Sequence, residues 1–551
     1  MMKLATIMMS LLLFVTLHAQ PTEAQVLQNA NKQPRLIVGI VIDQMRYDYL
    51  AKYYNKFSEN GFKKLMNGGF NCKNANFNYA PTYTGPGHAS IYTGTTPAFH
   101  GIIGNDWFDR NTGKTIYVTD DASVQTVGSS SEEAGKMSPR NMLSSTIGDE
   151  LRLFSNMKSK VISVSLKDRA SILPGGHLSN GSFWFDSGSG NFITSTYYMD
   201  KLPQWVIDFN AQHLADKYLS HTWNTLLPIG QYTESAGDDS PYEGLYPGET
   251  KPVFPHNLPA MYSKTDYGII RSTPFGNSIT KDLALAALKG ENLGKGDYPD
   301  FLAISFSSTD YVGHQMGPQS IEIEDTYLRL DRDLAEIITY LEKNYGKDNF
   351  LLFLTADHAA AYVPAELMDL KMNAGYFSYQ TFADSLKDYL YKNYNDSNLV
   401  SSIINNQIYL NHARLKQEQI NPKAIEDDIA TFSFTFKGVA NAYTSVQLNG
   451  EALKNKSAGL MQNGFYIKRS GDVALLLEPQ WLDGHSHTGT SHGTTYSYDT
   501  HVPLLWYGWN IKSGFTSSQI DITDIAPTIA SFLNIMSPNA CTGNPIVRLT
   551  K

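Results

Sequence analysis

Cysteine is almost missing from this chain of 551 residues: only Cys72 and Cys541 occur. That excludes four-cysteine zinc sites, so any metal must be held by Asp, Glu and His. It allows at most one disulfide, and nothing in the sequence places the two thiols together, so their pairing stays open. Long hydrophobic runs are also lacking. Beyond the N-terminus no stretch approaches ~20 uninterrupted apolar residues, so the mature chain is expected to be soluble, with no stable membrane insertion. Positive charge is in deficit: Lys+Arg 44 against Asp+Glu 53 gives a net charge of −9. This argues against a nucleic-acid partner. It leaves small anionic substrates open, because a bound cation dominates its local field. Solenoid repeats and low-complexity tails are absent as well.

What is present begins with a leader-like start. Met1-Met2-Lys3 precedes an apolar run at 4–17, too short to span a bilayer comfortably, and then Leu17-His18-Ala19. The pattern reads as a signal peptide over residues 1–19, placing the mature protein in a periplasm or outside the cell. With 42% apolar and 18% charged residues, the remainder suits a globular enzyme of two to four domain-sized units.

Residues 35–42 form a continuous, branched apolar run of the kind buried in parallel sheets. Similar runs at 161–166, 301–306 and 349–355 predict strands, with another at 502–507. Helices are expected at 48–68, 137–154 and 524–534. A long helix over 321–345 is predicted from apolar spacing at Tyr327, Leu330, Leu334, Ile337 and Leu341. The alternation gives an α/β fold: a mostly parallel central sheet sandwiched by helices. Two stretches, about 175–275 and 370–475, break the alternation and read as inserted cap segments.

The chemistry-bearing residues follow the strands. Asp43 follows the first run, Asp310 and His314 follow 301–306, and Asp357 and His358 follow 349–355. The carboxyl ends of parallel strands line the crevice where open α/β sheets bind ligands. A lone Asp there is commonly a helix cap; three, two of them with a nearby histidine, point to metal. Carboxylate plus imidazole without thiolate favours zinc. Among His485, His487, His492 and His501, His492 is the chosen further ligand, because Gly493 lets the backbone pass close to an ion. Two close divalent ions suit phosphoryl transfer.

Thr84 precedes Gly85-Pro86-Gly87 at an expected helix start. It is either a capping residue or a nucleophile where free N–H groups attract phosphate; coordination to a cation would lower its pKa. Lys167 and Arg169 follow the 161–166 strand. If that segment is extended, they face the same way and reach one phosphate, Lys as a point charge and Arg as a planar fork. Asn105, in Gly101-Ile-Ile-Gly-Asn-Asp-Trp107, is a candidate donor to a phosphoryl oxygen. His88 and His100 read as structural or capping residues.

Together these residues resemble the alkaline phosphatase superfamily, and more narrowly the PafA-type phosphate monoesterases of bacteria. The resemblance rests on Asp43, Thr84-Gly-Pro-Gly-His88, Asn105, Lys167-x-Arg169, Thr309-Asp-Tyr-x-Gly-His314, Thr355-Ala-Asp-His358 and His492-Gly. Tyr498-Asp-Thr-His-Val-Pro503 and Asp521-Ile-Thr-Asp-Ile-Ala-Pro527 belong to it too. It implies an alkaline phosphatase-like core and two Zn2+. Asp310, His314 and His492 would hold one ion; Asp43, Asp357 and His358 would hold the other, with Thr84 as its nucleophilic partner. It further implies export and release of phosphate from a broad range of small-molecule monoesters; from the parts themselves a phosphothreonine intermediate is expected, and the chain is expected to be a monomer. Two alternatives stand beside it: a nucleotide pyrophosphatase or phosphodiesterase on the same core, and a non-catalytic exported metal-binding protein. The 33 Tyr and 7 Trp that could suggest a binding surface are better spent building core and cap.

Overall fold

The computed structural model describes residues 33–450, 452–484 and 487–550; the leader over 1–19 lies outside them. Its centre is one ten-stranded sheet. In chain order the strands are β1 (Leu36–Ile42), β2 (Phe70–Cys72), β3 (Thr126–Val127), β4 (Val161–Ser165), β5 (Gly181–Asp186), β6 (Asn191–Ser195), β7 (Asp300–Phe306), β8 (Phe350–Thr355), β9 (Leu504–Gly508) and β10 (Gly514–Thr516). They lie in the order β10-β2-β9-β8-β1-β7-β4-β5-β6-β3. The middle five, from β8 to β5, are parallel, so the mostly parallel α/β reading holds at the core. The helices used below are α1 (Thr84–Thr93), α2 (Asp168–Gly175), α3 (Ser308–Met316) and α4 (Ile321–Tyr345).

β1 is buried at all seven positions, as a central strand covered on both faces must be. Gly39 is required there: a Cβ would meet Phe353 Cζ at 2.6 Å and Tyr92 Oη at 2.7 Å, so its absence lets β8 and α1 close on the strand. β1 pairs with β7 on one side and β8 on the other, with Ile42 opposite Phe306 and Val41 opposite Thr355. The three carboxyl ends are therefore level, and the residues that follow them emerge along one edge. α4 buries Leu330, Leu334, Ile337 and Leu341 completely; each such burial stabilises by about 1.5–3 kcal/mol. Ser320 caps it by accepting from Ile323 N, and Gly346, at φ 79°, ends it.

Three expectations change. The helix expected over 48–68 is broken into Tyr49–Lys52, Tyr54–Lys56 and Phe62–Gly68. Asp331 of α4 accepts from Ser58 N at 2.6 Å and Phe62 N at 2.7 Å, which satisfies the backbone where the helix stops. The helix over 137–154 starts only at Ile147, where Thr146 and Asp149 form a capping box. The segment set apart from about 175 starts later, because β5 and β6 are strands of the central sheet. A Ser187-Gly-Ser-Gly190 turn, with Gly190 at φ 71°, joins two short aromatic strands too brief to show periodicity.

Beyond β6 the chain is fastened to α4 through Asp325. Its buried carboxylate accepts from Trp223 Nε1 at 2.7 Å, Leu226 N at 2.6 Å, Tyr232 OH at 2.5 Å and Arg329 Nε at 2.6 Å. Asp325→Ala strands these donors, and a loss of about 3–5 kcal/mol is expected, read as a drop in midpoint on denaturant unfolding. The second segment builds a lobe of its own. Val400–Ile404, Gln407–Leu410, Val473–Leu477 and Val439–Thr444 form an antiparallel sheet in that order. Its core includes Phe377, Phe382, Leu386, Ile425, Ile429 and Leu475.

Candidate active site

The level strand ends deliver the acidic groups. Asp43 directly follows β1, Asp310 lies in the first turn of α3 just after β7, and Asp357 lies two residues past β8. All three are buried, as are His358 and His492. His314 stands one helical turn from Asp310, its Nε2 3.1 Å from Asp310 Oδ1. His492 Nε2 is 3.8 Å from the same oxygen, and its ring stacks on His358 at a centroid distance of 3.5 Å. His358 Nε2 is 3.5 Å from Asp43 Oδ1 and 3.7 Å from Asp357 Oδ2.

Two groups in this cluster have metal-ligand spacing: Asp310, His314 and His492, and Asp43, Asp310 and His358. The first is the set expected from the sequence. In the second, Asp310 stands where Asp357 was expected, so one carboxylate serves both groups while Asp357 flanks His358.

The donor chemistry fits metal. Each of the three histidines donates Nδ1–H to a backbone carbonyl: His314 to Thr490 O at 2.8 Å, His358 to Ala359 O at 3.0 Å and His492 to Thr82 O at 2.7 Å. This fixes the tautomer and leaves every Nε2 lone pair turned into the cluster, the usual outer-shell arrangement of ligating imidazoles. Asp43 Oδ1, Asp357 Oδ2 and His358 Nε2 are buried with no hydrogen-bond partner among the described residues. Three orphaned acceptors facing one another are costly unless a cation sits among them.

Without a metal the buried charges are set against one another, and against the effect of burial Asp310 raises the His314 imidazole above its ordinary value. Burial, then the charges of Asp310 and Asp357, push Asp43 well above the usual carboxylate range. Burial would raise Asp310 too, but His314 and Lys167 hold it well below that range. Burial, reinforced by His358 and His314, keeps His492 neutral, the form that binds metal.

Lys167 is the cation already present. Its Nζ donates to Asp43 Oδ2 at 2.7 Å and Asp310 Oδ2 at 2.5 Å. Burial opposes its charge, but Asp310 and Asp43 raise its pKa above the ordinary lysine value. The extended geometry expected for Lys167 and Arg169 does not occur. Lys167 is the N-cap of α2, and Arg169 lies inside that helix, because Asp168 makes a good first-turn residue. Arg169 instead donates through Nη1 to Tyr117 OH at 2.9 Å, and Tyr117 OH donates to Asp168 at 2.6 Å.

Thr84 opens α1, with Tyr83 as N-cap and no side-chain capping bond, so the capping reading of Thr84 is not what the structure shows. Its neighbours tie it to the cluster. His88 donates Nδ1–H to Thr84 O at 2.9 Å and lies 3.3 Å from Asp357 Oδ2. His492 holds Thr82 from the other side. Asn105 Oδ1 accepts from Gly85 N at 2.8 Å, which commits the oxygen to the helix start and leaves the amide N–H pair as donors.

Sequence reasoning passed over Gln44 and undervalued His88. Gln44 N donates to Asp357 Oδ1 at 3.2 Å, and its Nε2 donates to Asp310 Oδ1 at 2.7 Å. It does so from a left-handed backbone, φ 64°, for which glutamine gives no sequence signal. His88 was findable: four residues after Thr84 on a helix, it returns to the same face.

A sequence profile of the family described as type I phosphodiesterase / nucleotide pyrophosphatase matches residues 37–501. Alkaline phosphatase PafA of Elizabethkingia meningoseptica is 43% identical over 95% of both chains. The wild-type PafA crystal structure matches with a TM-score of 0.92, covering 95% of this chain and 100% of that one. Alkaline phosphatase PhoV of Synechococcus elongatus is 45% identical over 100% of both. A Myroides odoratus protein named calcium-transporting ATPase is 46% identical over 94% of both; among the described residues here, no helix is long and apolar enough to cross a membrane. The chain belongs to the family of that profile, and its full-length relatives and fold place it in the alkaline phosphatase superfamily, in its PafA-type branch, as a phosphoric monoester hydrolase.

Proposed function

We propose that this chain is an exported, monomeric alkaline phosphatase that releases phosphate from small phosphate monoesters, using two Zn2+ and a phosphothreonine at Thr84. The observation that carries the metal reading is the trio of buried, unpartnered atoms Asp43 Oδ1, Asp357 Oδ2 and His358 Nε2, beside three histidines with Nδ1 already committed. Asp310, His314 and His492 would hold one ion; Asp43, Asp357 and His358 would hold the other, with Asp310 in reach of both. Bound there, the ions supply Lewis acidity, lowering the pKa of an oxygen nucleophile and offsetting charge on the leaving oxygen.

The chain's own residues do the rest. The Thr84 hydroxyl gives up its proton to solvent, and its oxygen bonds to phosphorus as the ester P–O bond breaks; the departing alkoxide takes a proton from solvent. Water then attacks the phosphothreonine from the opposite side, losing a proton to solvent, the P–Oγ bond breaks, and the Thr84 oxygen is reprotonated from solvent. Two inversions give net retention. Lys167, Arg169 and the Asn105 amide offset and orient charge on the non-bridging oxygens. The transition state is loose, so positioning and electrostatics carry the rate.

Buried Lys167 and half-buried Arg169 near the reacting group reward the extra charge of a monoester over a diester. Phenyl phosphate is therefore expected to exceed its methyl ester in kcat/KM by about 100-fold or more. Metal analysis is expected to return two zinc per chain, and a chelator to abolish turnover. A preferred diester would overturn the monoester specificity, and metal-free protein with full activity would overturn the metal reading.

A further inference from the structure

The 375–477 lobe meets the turn that carries Asn105 at a hairpin tip. Val400–Ile404 and Gln407–Leu410 are joined by Asn405 and Asn406, at φ 52° and 58°. Two consecutive left-handed residues make the type I′ turn that matches strand twist, and asparagine tolerates that conformation. The tip is fixed from behind. Tyr379 OH donates to Asn406 Oδ1 at 2.8 Å and accepts from Asn406 N at 3.0 Å, while Leu475 N donates to Asn406 O at 2.7 Å.

Asn405 then presses on the turn that carries Asn105. Its Nδ2 donates to Asp106 O at 2.8 Å and lies 3.3 Å from Asp106 Oδ1. The approach needs Gly104, where a Cβ would come within 2.9 Å of Asn405 Nδ2. On its other side the same turn meets the start of α1: a Cβ on Gly85 would lie 3.2 Å from Gly104 O and 3.3 Å from Asn105 Oδ1. The turn of 104–106 is therefore clamped between Thr84's helix and the lobe.

We propose that Asn405 is a positioning residue for phosphoryl transfer, by which the lobe sets the Asn105 amide against the phosphoryl group on Thr84. This rests on the reading of Asn105 as a phosphoryl donor. The lobe is then part of the catalytic geometry, because a displacement of about 1 Å in a positioned group costs up to ~100-fold in rate.

Asn405→Gly tests it, since glycine keeps the left-handed turn and removes only the amide. The expected result is a fall of about 10-fold in kcat/KM for phenyl phosphate, with the thermal midpoint close to the parent. In an Asn105→Ala background the same change is expected to have no further effect, the non-additivity of residues acting through one another. Losses that multiply in the double variant, or an Asn405→Gly protein of unchanged kcat/KM, overturn the proposal while Asn105 stands. An Asn105→Ala protein of unchanged kcat/KM overturns the reading of Asn105 itself, and the role of Asn405 falls with it.

Discussion

Thr84→Ala is expected to lower kcat for phenyl phosphate by on the order of 10³-fold or more, with zinc content and thermal midpoint near those of the parent. The side chain is 1% exposed and provides no helix cap, so its removal deletes a small group from a site held by other contacts. A cost of about 1 kcal/mol is typical of such changes. His88 grips the Thr84 carbonyl, not the side chain, so the helix start stays in place. Asn105 likewise holds the Gly85 N–H. A nucleophile differs from a phosphate-binding hydroxyl in leaving a covalent trace. Acid-quenched parent enzyme should carry phosphate on Thr84, and the alanine variant should carry none. A variant within 10-fold of the parent, or phosphate trapped elsewhere, would remove the covalent mechanism while leaving the metal cluster untouched.

The parts of this site that could be read from the sequence are those written in a local period. β1, β7 and β8 are covered on both faces, so they appear as continuous apolar runs, and the polar residue ending each run marks the ligand edge. α4 is amphipathic over 25 residues, long enough for its spacing to override local ambiguity. What escaped depends on contacts distant in sequence. Gln44 joins Asp310 and Asp357 across 266 and 313 residues. The sharing of Asp310 between two groups is set by strand register, not by spacing. The backbone at Lys167–Arg169 departs from the extended form because strand β4 ends at Ser165 and a helix opens three residues later. β5 and β6 were hidden by glycine and serine in their turn, and the contact of Asn405 with Asp106 spans 299 residues.

Asp310→Asn is expected to have the second large effect, for a reason specific to this cluster. Asp310 is the carboxylate common to both groups that have metal-ligand spacing. The amide keeps the size but loses the negative charge, so metal content should fall at both positions together, and kcat/KM for phenyl phosphate by on the order of 10³-fold. The change also acts on the metal-free protein. Lys167, 4% exposed, is held by Asp43 and Asp310. Removing one of two anions from a buried ammonium costs about 3 kcal/mol or more. Chelator-treated Asp310→Asn should therefore melt below chelator-treated parent, whereas His492→Ala should lose metal without that additional drop, because the Lys167 ammonium is held by Asp43 and Asp310. The comparison separates the two tasks of one carboxylate: holding cations for chemistry, and neutralising a lysine for stability. If Asp310→Asn retained two zinc and full turnover, the assignment of Asp310 as a metal ligand would be wrong. If it lost metal without a lower melting point under chelation, Lys167 would be compensated by Asp43 alone.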